Sequence, residues 1–123
     1  MQDPCRHFRG KRLLIAVDQS PLPAKVLWRL LSYDATIVGT DESLATMLNL
    51  VIKGHVDAVI VDLCLEEAAI EAMIAALEAA EIPYVFAWIG EERLVPRDYP
   101  GYRFIDDRSA LGHIAEALFS ART

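Results

Sequence analysis

The sequence DAVIVD, residues 57–62, decides the fold that we predict for this chain. Its four central residues are apolar, three of them are β-branched, and the run is too short for an ordinary helix. Such a run is typical of a parallel strand that is buried on both faces of a sheet. Because the carboxylate of Asp62 ends this run, the sequence predicts that any chemistry of the chain lies there.

The composition restricts the class of protein. A chain of 123 residues is close to the commonest size of a single domain and is long enough for one hydrophobic core. Hydrophobic residues make up 54% and charged residues 24%, which is typical of a globular protein. No apolar run reaches the ~18 residues of a membrane span, and the basic start has no signal-peptide core. We therefore expect a cytoplasmic protein, with an N-terminal tail over residues 1–10 and one domain over residues 11–121.

The charges and the cysteines argue against two further classes of site. A net charge of −6 disfavours a nucleic-acid binder, because phosphate binding needs clustered Lys and Arg. The one basic cluster is expected to be a solvated leader and comprises Arg6, Arg9, Lys11 and Arg12. Cys5 and Cys64 have neither metal-site spacing nor the density of a disulfide scaffold, so we expect free thiols.

Strand and helix patterns alternate along the whole chain. The predicted strands are residues 13–17, 35–39, 58–61, 82–88 and 102–105, and the predicted helices are residues 24–32, 44–52, 66–80 and a last one from Ser109. Thr40 or Asp41 is expected to cap the second helix and Ser109 the last, and one helical turn fits near residues 91–94. This alternation predicts an α/β, flavodoxin-like three-layer sandwich with a five-stranded parallel sheet of order 2-1-3-4-5.

In sheets of this order, functional groups gather beyond the carboxyl ends of strands one and three. Asp18 and Gln19 follow strand one, and Asp62 ends strand three. From the residues alone, Asp62 could also be a helix cap or a turn former, and Asp18 could simply stabilise the loop before Pro21.

Three motifs give the chain a family resemblance. They are VDQSPL at residues 17–22, DAVIVDL at residues 57–63 and IPYVFA at residues 82–87. With their spacing, the chain resembles a response-regulator receiver domain of two-component signalling over roughly residues 11–118. The third motif is most similar to the receivers nicknamed FAT GUY, which carry Phe-Ala-Thr-Gly there and commonly accompany alphaproteobacterial kinases.

The resemblance implies a role for each residue at the strand ends. Asp62 takes the phosphoacceptor position, and Asp18 with Gln19 takes the position of the acidic pair. Mg²⁺, which prefers hard oxygen ligands, would be held by Asp18, Asp62 and the backbone carbonyl of Cys64. Because Gln19 is neutral where the family has a second acid, we expect weaker Mg²⁺ binding.

Two departures from the family pattern concern the phosphorylation switch. Trp88, five residues after Pro83, stands where the family has the Thr or Ser that binds the phosphoryl group, and an indole cannot replace that hydroxyl. Residues 103–106 read RFID, so the expected lysine is absent in either register. Trp88 either fills space over the sheet edge or occupies the space left by the hydroxyl, which would fix one conformation. Together these departures imply that switching is impaired or absent.

The sequence therefore predicts a degenerate receiver, not an enzyme, that acts by binding another protein. The partner is a histidine kinase, another response regulator or a copy of the chain. Tyr99, Tyr102 and Phe119 are the candidate anchors of the interaction surface. One alternative is a phosphorylation-competent receiver that relays or drains phosphoryl groups through Asp62. The other is an unrelated flavodoxin-like enzyme or ligand-binding domain, which lacks support because the sequence has no Gly-rich phosphate loop and no catalytic triad pattern.

Overall fold

A computed structural model describes residues 4–16, 24–39, 43–62, 66–88, 102–103 and 107–119. The strands are β1 (Arg12–Ala16), β2 (Thr36–Gly39), β3 (Ala58–Asp62), β4 (Tyr84–Trp88) and β5 (Tyr102–Arg103). The helices are α1 (Ala24–Ser32), α2 (Leu44–Ile52), α3 (Glu67–Ala80) and α4 (Arg108–Phe119), and an N-terminal 3-10 helix spans Pro4–Phe8. Within these ranges, no helix combines the length and the apolar character needed to span a bilayer.

The five strands form one sheet in the order β2-β1-β3-β4-β5, and every neighbouring pair is parallel. This confirms the predicted flavodoxin-like topology. All residues of β3 are buried, as expected for a central strand that is covered on both faces. The sheet therefore brings the carboxyl end of β3 between those of β1 and β4.

Two hydrophobic clusters cover the two faces of the sheet. In β3, Ala58 and Ile60 belong to the first cluster with α1 and α4, whereas Val59 and Val61 belong to the second with α2 and α3. This division follows from the alternation of side chains along a strand. The three layers of the predicted sandwich are thus present, and a side chain's position in its strand determines which helices it meets.

The N-terminal 3-10 helix packs into the first cluster. Cys5 and Phe8 are fully buried, and the Phe8 ring stacks on Tyr33 at 6.1 Å and meets Phe119 edge-on at 6.0 Å. Arg6, Arg9 and Arg12 of the basic cluster are exposed as expected, but Cys5 and Phe8 pack the segment that carries Arg6 and Arg9 against the core. The sequence concealed this packing because the segment is short and its aromatic partners lie far along the chain.

Two helix caps differ from the predicted ones. Ser43 caps α2, and its Oγ accepts a hydrogen bond from the Thr46 amide at 3.2 Å. Asp107 caps α4, because its Oδ1 accepts from the amides of Ser109 at 2.7 Å and Ala110 at 3.2 Å. Each cap directly precedes its helix, where a side-chain oxygen can satisfy free amides of the first turn. The helical turn expected near residues 91–94 lies outside the described residues.

Candidate functional site

Asp62 lies at the carboxyl end of β3 and is 6% exposed. It pairs in register with Ala87 of β4, and the preceding residue, Val61, pairs with Ala16 of β1. Strand alternation places its side chain on the sheet face of Ala58, which is the face that α1 and α4 cover. A carboxylate is therefore held at the edge where strands one and three meet, as the sequence predicted.

Trp88 ends the neighbouring strand, and its half-buried ring packs against the second cluster, which α2 and α3 cover. Tyr84 and Phe86 share this face of β4, and their rings meet edge-on at 5.7 Å. Trp88 is therefore part of an aromatic surface on the face opposite to Asp62. A large apolar side chain at this position is held by its packing.

Four of the predicted site residues lie outside the described residues: Asp18, Gln19, Cys64 and Tyr99. Within the described ranges, no group of three or more His, Cys, Asp or Glu side chains is arranged to hold a metal ion. Of the expected Mg²⁺ ligands, the described residues include Asp62, whose carboxylate is a hard oxygen donor of the kind that Mg²⁺ prefers. The Mg²⁺ site and the acidic pair stay predictions.

β5 lies beside Trp88. Tyr102 pairs with Ala87 and Arg103 pairs with Trp88, while residues 104–106 lie outside the described part of the chain. Position 103 is therefore level with Trp88 in the sheet, and an arginine begins the stretch 103–106 in which the resemblance places the family's lysine.

Of the predicted interaction anchors, Tyr102 and Phe119 are half-buried and pack against the first cluster. The Phe119 ring contacts Phe8, and the Lys11 Nζ lies 5.3 Å from the centre of that ring. Part of the Phe119 side chain is therefore covered by other residues of the same chain. Its role in binding a partner stays a prediction, as does that of Tyr102.

An ion pair between Arg12 and Asp57 was missed from the sequence. The Asp57 carboxylate accepts hydrogen bonds from the Arg12 amide at 2.7 Å, from Nε at 3.1 Å and from Nη2 at 3.1 Å. Hydrogen bonding to Arg12 lowers the pKa of Asp57 below its ordinary value. Arg12 begins β1, and Asp57 directly precedes β3, so the predicted strand order would have indicated the pair. It joins the two strands at the end of the sheet opposite to Asp62.

A second missed residue is Trp28, which is 72% exposed on α1. The sequence did carry a signal, because Trp28 falls outside the stripe of Val26 and Leu30, which the structure buries. Trp28 is therefore a large apolar side chain that the fold leaves exposed to solvent.

The fold and the site define a flavodoxin-like α/β domain with a buried carboxylate at the end of its central strand. No family model matches the chain, and no curated protein matches it. Among solved structures, the chain is similar to SdrG from Pseudomonas melonis Fr1, solved in its BeF3-activated conformation. The two are 32% identical, with 87% of this chain and 94% of that chain covered and a TM-score of 0.63.

Two solved PhyR chains have the same fold. They are the response regulator PhyR from Brucella abortus, 22% identical with a TM-score of 0.67, and a mutant of the anti-anti-sigma factor PhyR from Bartonella quintana, 18% identical with a TM-score of 0.67. The matches cover 95% of this chain and 51% and 52% of the PhyR chains, so the chain spans about half of their length.

This chain belongs to the response-regulator receiver family. Membership confirms the family predicted from the three motifs. It also argues against the alternative of a flavodoxin-like enzyme or ligand-binding domain unrelated to receivers.

Proposed function

We propose that the chain is a degenerate receiver domain of two-component signal transduction, which works by binding another protein and whose phosphorylation switch is impaired or absent. The observation that carries this proposal is the position of Trp88. A receiver switch needs a small hydroxyl beside the phosphoacceptor, and this chain has at that position an indole packed against α2 and α3.

Gln19, Trp88 and the missing lysine all affect the groups that would surround a phosphoryl group on Asp62. A phosphoryl group on Asp62 would add negative charge, which needs a cation and hydrogen-bond donors around it. In this sequence Gln19 stands in place of one of the two acids that would hold the cation, and residues 103–106 contain no lysine. Without the hydroxyl and the lysine, phosphorylation would have little means of shifting the conformation of the domain.

Protein binding remains as the way in which such a domain signals. We assign the receiver-like domain to residues 11–121, and Cys5 and Phe8 of the N-terminal segment complete its core. We expect the protein to lie in the cytoplasm. The partner is a histidine kinase, another response regulator or a copy of the chain. Tyr99, Tyr102 and Phe119 are the anchors that we assign to the interaction surface; Tyr102 lies on β5 and Phe119 ends α4.

A second candidate function is a phosphorylation-competent receiver that relays or drains phosphoryl groups. Asp62 is retained at the end of β3, and SdrG has been solved in a BeF3-activated conformation. In this case Asp18, Asp62 and the backbone carbonyl of Cys64 would hold Mg²⁺, which would offset the charge on the transferred group.

The two functions are separated by incubating the chain with Mg²⁺ and a small phosphodonor and then measuring its intact mass. The degenerate receiver predicts at most a trace of singly phosphorylated chain. Conversion of most molecules, lost in Asp62→Asn, would favour the phosphorylation-competent receiver. An SdrG sample treated in parallel shows whether the donor and the detection work.

A further inference from the structure

The outward side of α1 carries an exposed aromatic patch between two cations. Trp28 is 72% exposed and Leu31 is 49% exposed. Lys25 and Arg29 are exposed beside them, and with Ser32 and Trp28 they line an open depression of about 420 Å³. We call Lys25, Trp28, Arg29 and Leu31 the α1 patch. An exposed aromatic surface rimmed by charge is typical of a protein interaction site.

The charge of the α1 patch restricts what can bind there. The chain as a whole carries a net charge of −6, whereas the charged residues of the α1 patch, Lys25 and Arg29, are both cations. Symmetric packing of two α1 patches is disfavoured, because it brings Lys25 and Arg29 of both copies into one contact. A surface complementary to the α1 patch would be acidic and would offer room for an indole.

The outward side of α3 is a surface of this kind. Glu67, Glu71 and Glu78 are exposed, and their spacing places them along one side of the helix. The exposed Ala68 and Ala75 lie beside them, so an aromatic ring can approach the helix closely. We call these five residues the α3 face. Its charge is opposite to that of the α1 patch, and both surfaces set charged residues beside apolar ones.

The α1 patch and the α3 face lie on opposite sides of the molecule. The buried residues of α1, Val26 and Leu30, belong to the first cluster, whereas Ile70 and Met73 of α3 belong to the second. The two surfaces of one copy therefore cannot meet each other. Contact between them requires two copies and leaves one α1 patch and one α3 face free at the ends of the pair.

We propose that a second copy of this chain binds the α1 patch through its α3 face, so that copies associate head to tail. This inference rests on the proposed function, in which the chain acts by binding a protein, and it names a copy of the chain as one such partner. The contact joins two different surfaces that lie on opposite sides of each copy, so two copies cannot satisfy both contacts at once. Further copies can therefore add at either end of the pair. The charge pairs of the contact are exposed, so salt weakens it.

The test measures the mass of the full chain by analytical ultracentrifugation over a wide range of concentration, up to the millimolar range, at low and at high salt. One variant, Lys25→Glu with Arg29→Glu, reverses the charge of the α1 patch. A second variant, Glu67→Lys with Glu71→Lys, reverses that of the α3 face. Trp28→Ala removes the aromatic group, and Ile52→Ala is its matched control, because Ile52 is 69% exposed on α2 outside both surfaces. Circular dichroism checks that each variant is folded.

The wild type and Ile52→Ala are expected to rise above the monomer mass as concentration increases, and high salt is expected to reduce that rise. Each charge-reversal variant alone is expected to stay monomeric, because its two surfaces then carry the same charge. Mixing the two variants restores opposite charges at every contact, so association is expected to return.

A wild type that stays monomeric at every concentration would overturn the inference. So would association that survives Trp28→Ala, or a mixture of the two charge-reversal variants that stays monomeric. These outcomes leave the proposed function untouched, because the phosphodonor experiment measures chemistry at Asp62 and not the mass of an assembly.

Discussion

Trp88 and Asp62 end neighbouring strands and lie on opposite faces of the sheet. Asp62 is level with Ala87, one residue before Trp88, and the ring of Trp88 packs with the cluster beneath α2 and α3. A side chain at position 88 must therefore move round the end of its strand to reach a group on Asp62. A small hydroxyl can make that movement, whereas an indole would have to leave its packing.

Trp88→Thr is expected to lower the stability of the domain without restoring a switch. The indole is half-buried, so we expect a loss of about 1–3 kcal/mol, below the ~3–5 kcal/mol of a fully buried aromatic residue. Switching should stay absent because no lysine stands at residues 103–106. Urea unfolding measures the loss of stability. NMR spectra with and without phosphodonor show whether phosphorylation changes the conformation. Trp88→Phe, which retains a ring, is the control and should lose less stability. A clear phosphorylation-dependent change in Trp88→Thr alone would count against this account.

Phe8→Ala is expected to destabilise the whole domain. Phe8 is fully buried between Tyr33 and Phe119, so its truncation should cost about 3–5 kcal/mol in the free energy of unfolding. Denaturant unfolding measures this loss. Arg9→Ala, one residue away, is the matched control, because the Arg9–Asp34 pair is 3.8 Å long and exposed and should contribute little. A loss no larger in Phe8→Ala than in Arg9→Ala would mean that the N-terminal segment does not belong to the core.

The pair of Arg12 and Asp57 predicts a dependence of stability on pH. Because its pKa is lowered in the folded chain, the Asp57 carboxylate contributes stability at pH values above its ordinary pKa of 3.8. That contribution is lost as the pH falls from 3.8 through the lowered pKa of the folded state. In Asp57→Asn, the deficit in unfolding free energy relative to wild type should be constant near neutral pH and shrink in acid. A deficit that grows as the pH falls would contradict the assignment.

The fold was predictable because its signals are local. The short apolar run before Asp62, the spacing of Val26 and Leu30, and the helix-forming residues 66–80 each indicate one element by their own composition. Their alternation then leaves few topologies for a chain of 123 residues. The structure confirms the strand order that followed.

The features that were missed depend on contacts between distant parts of the chain. Phe8 finds its ring partners in Tyr33, which directly follows α1, and in Phe119 of α4, and nothing in its own segment indicates that it is buried. Asp57 and Arg12 are separated by 45 residues and meet only because β1 and β3 are neighbours. At the site itself, the motif located Asp62, but only the pairing of β3 with β4 could show that Trp88 packs on the other face.

In the proposed function, Asp62 lies at a phosphoacceptor position that no longer controls the rest of the domain. The most direct test follows backbone NMR shifts of the chain while Mg²⁺ and then beryllofluoride, which mimics a phosphoryl group on aspartate, are added. Asp62→Asn serves as the control for binding at that carboxylate. We predict either no change or shifts confined to the ends of β1 and β3. Shifts that spread through β4 to α4 in the wild type, and are absent in Asp62→Asn, would contradict the claim.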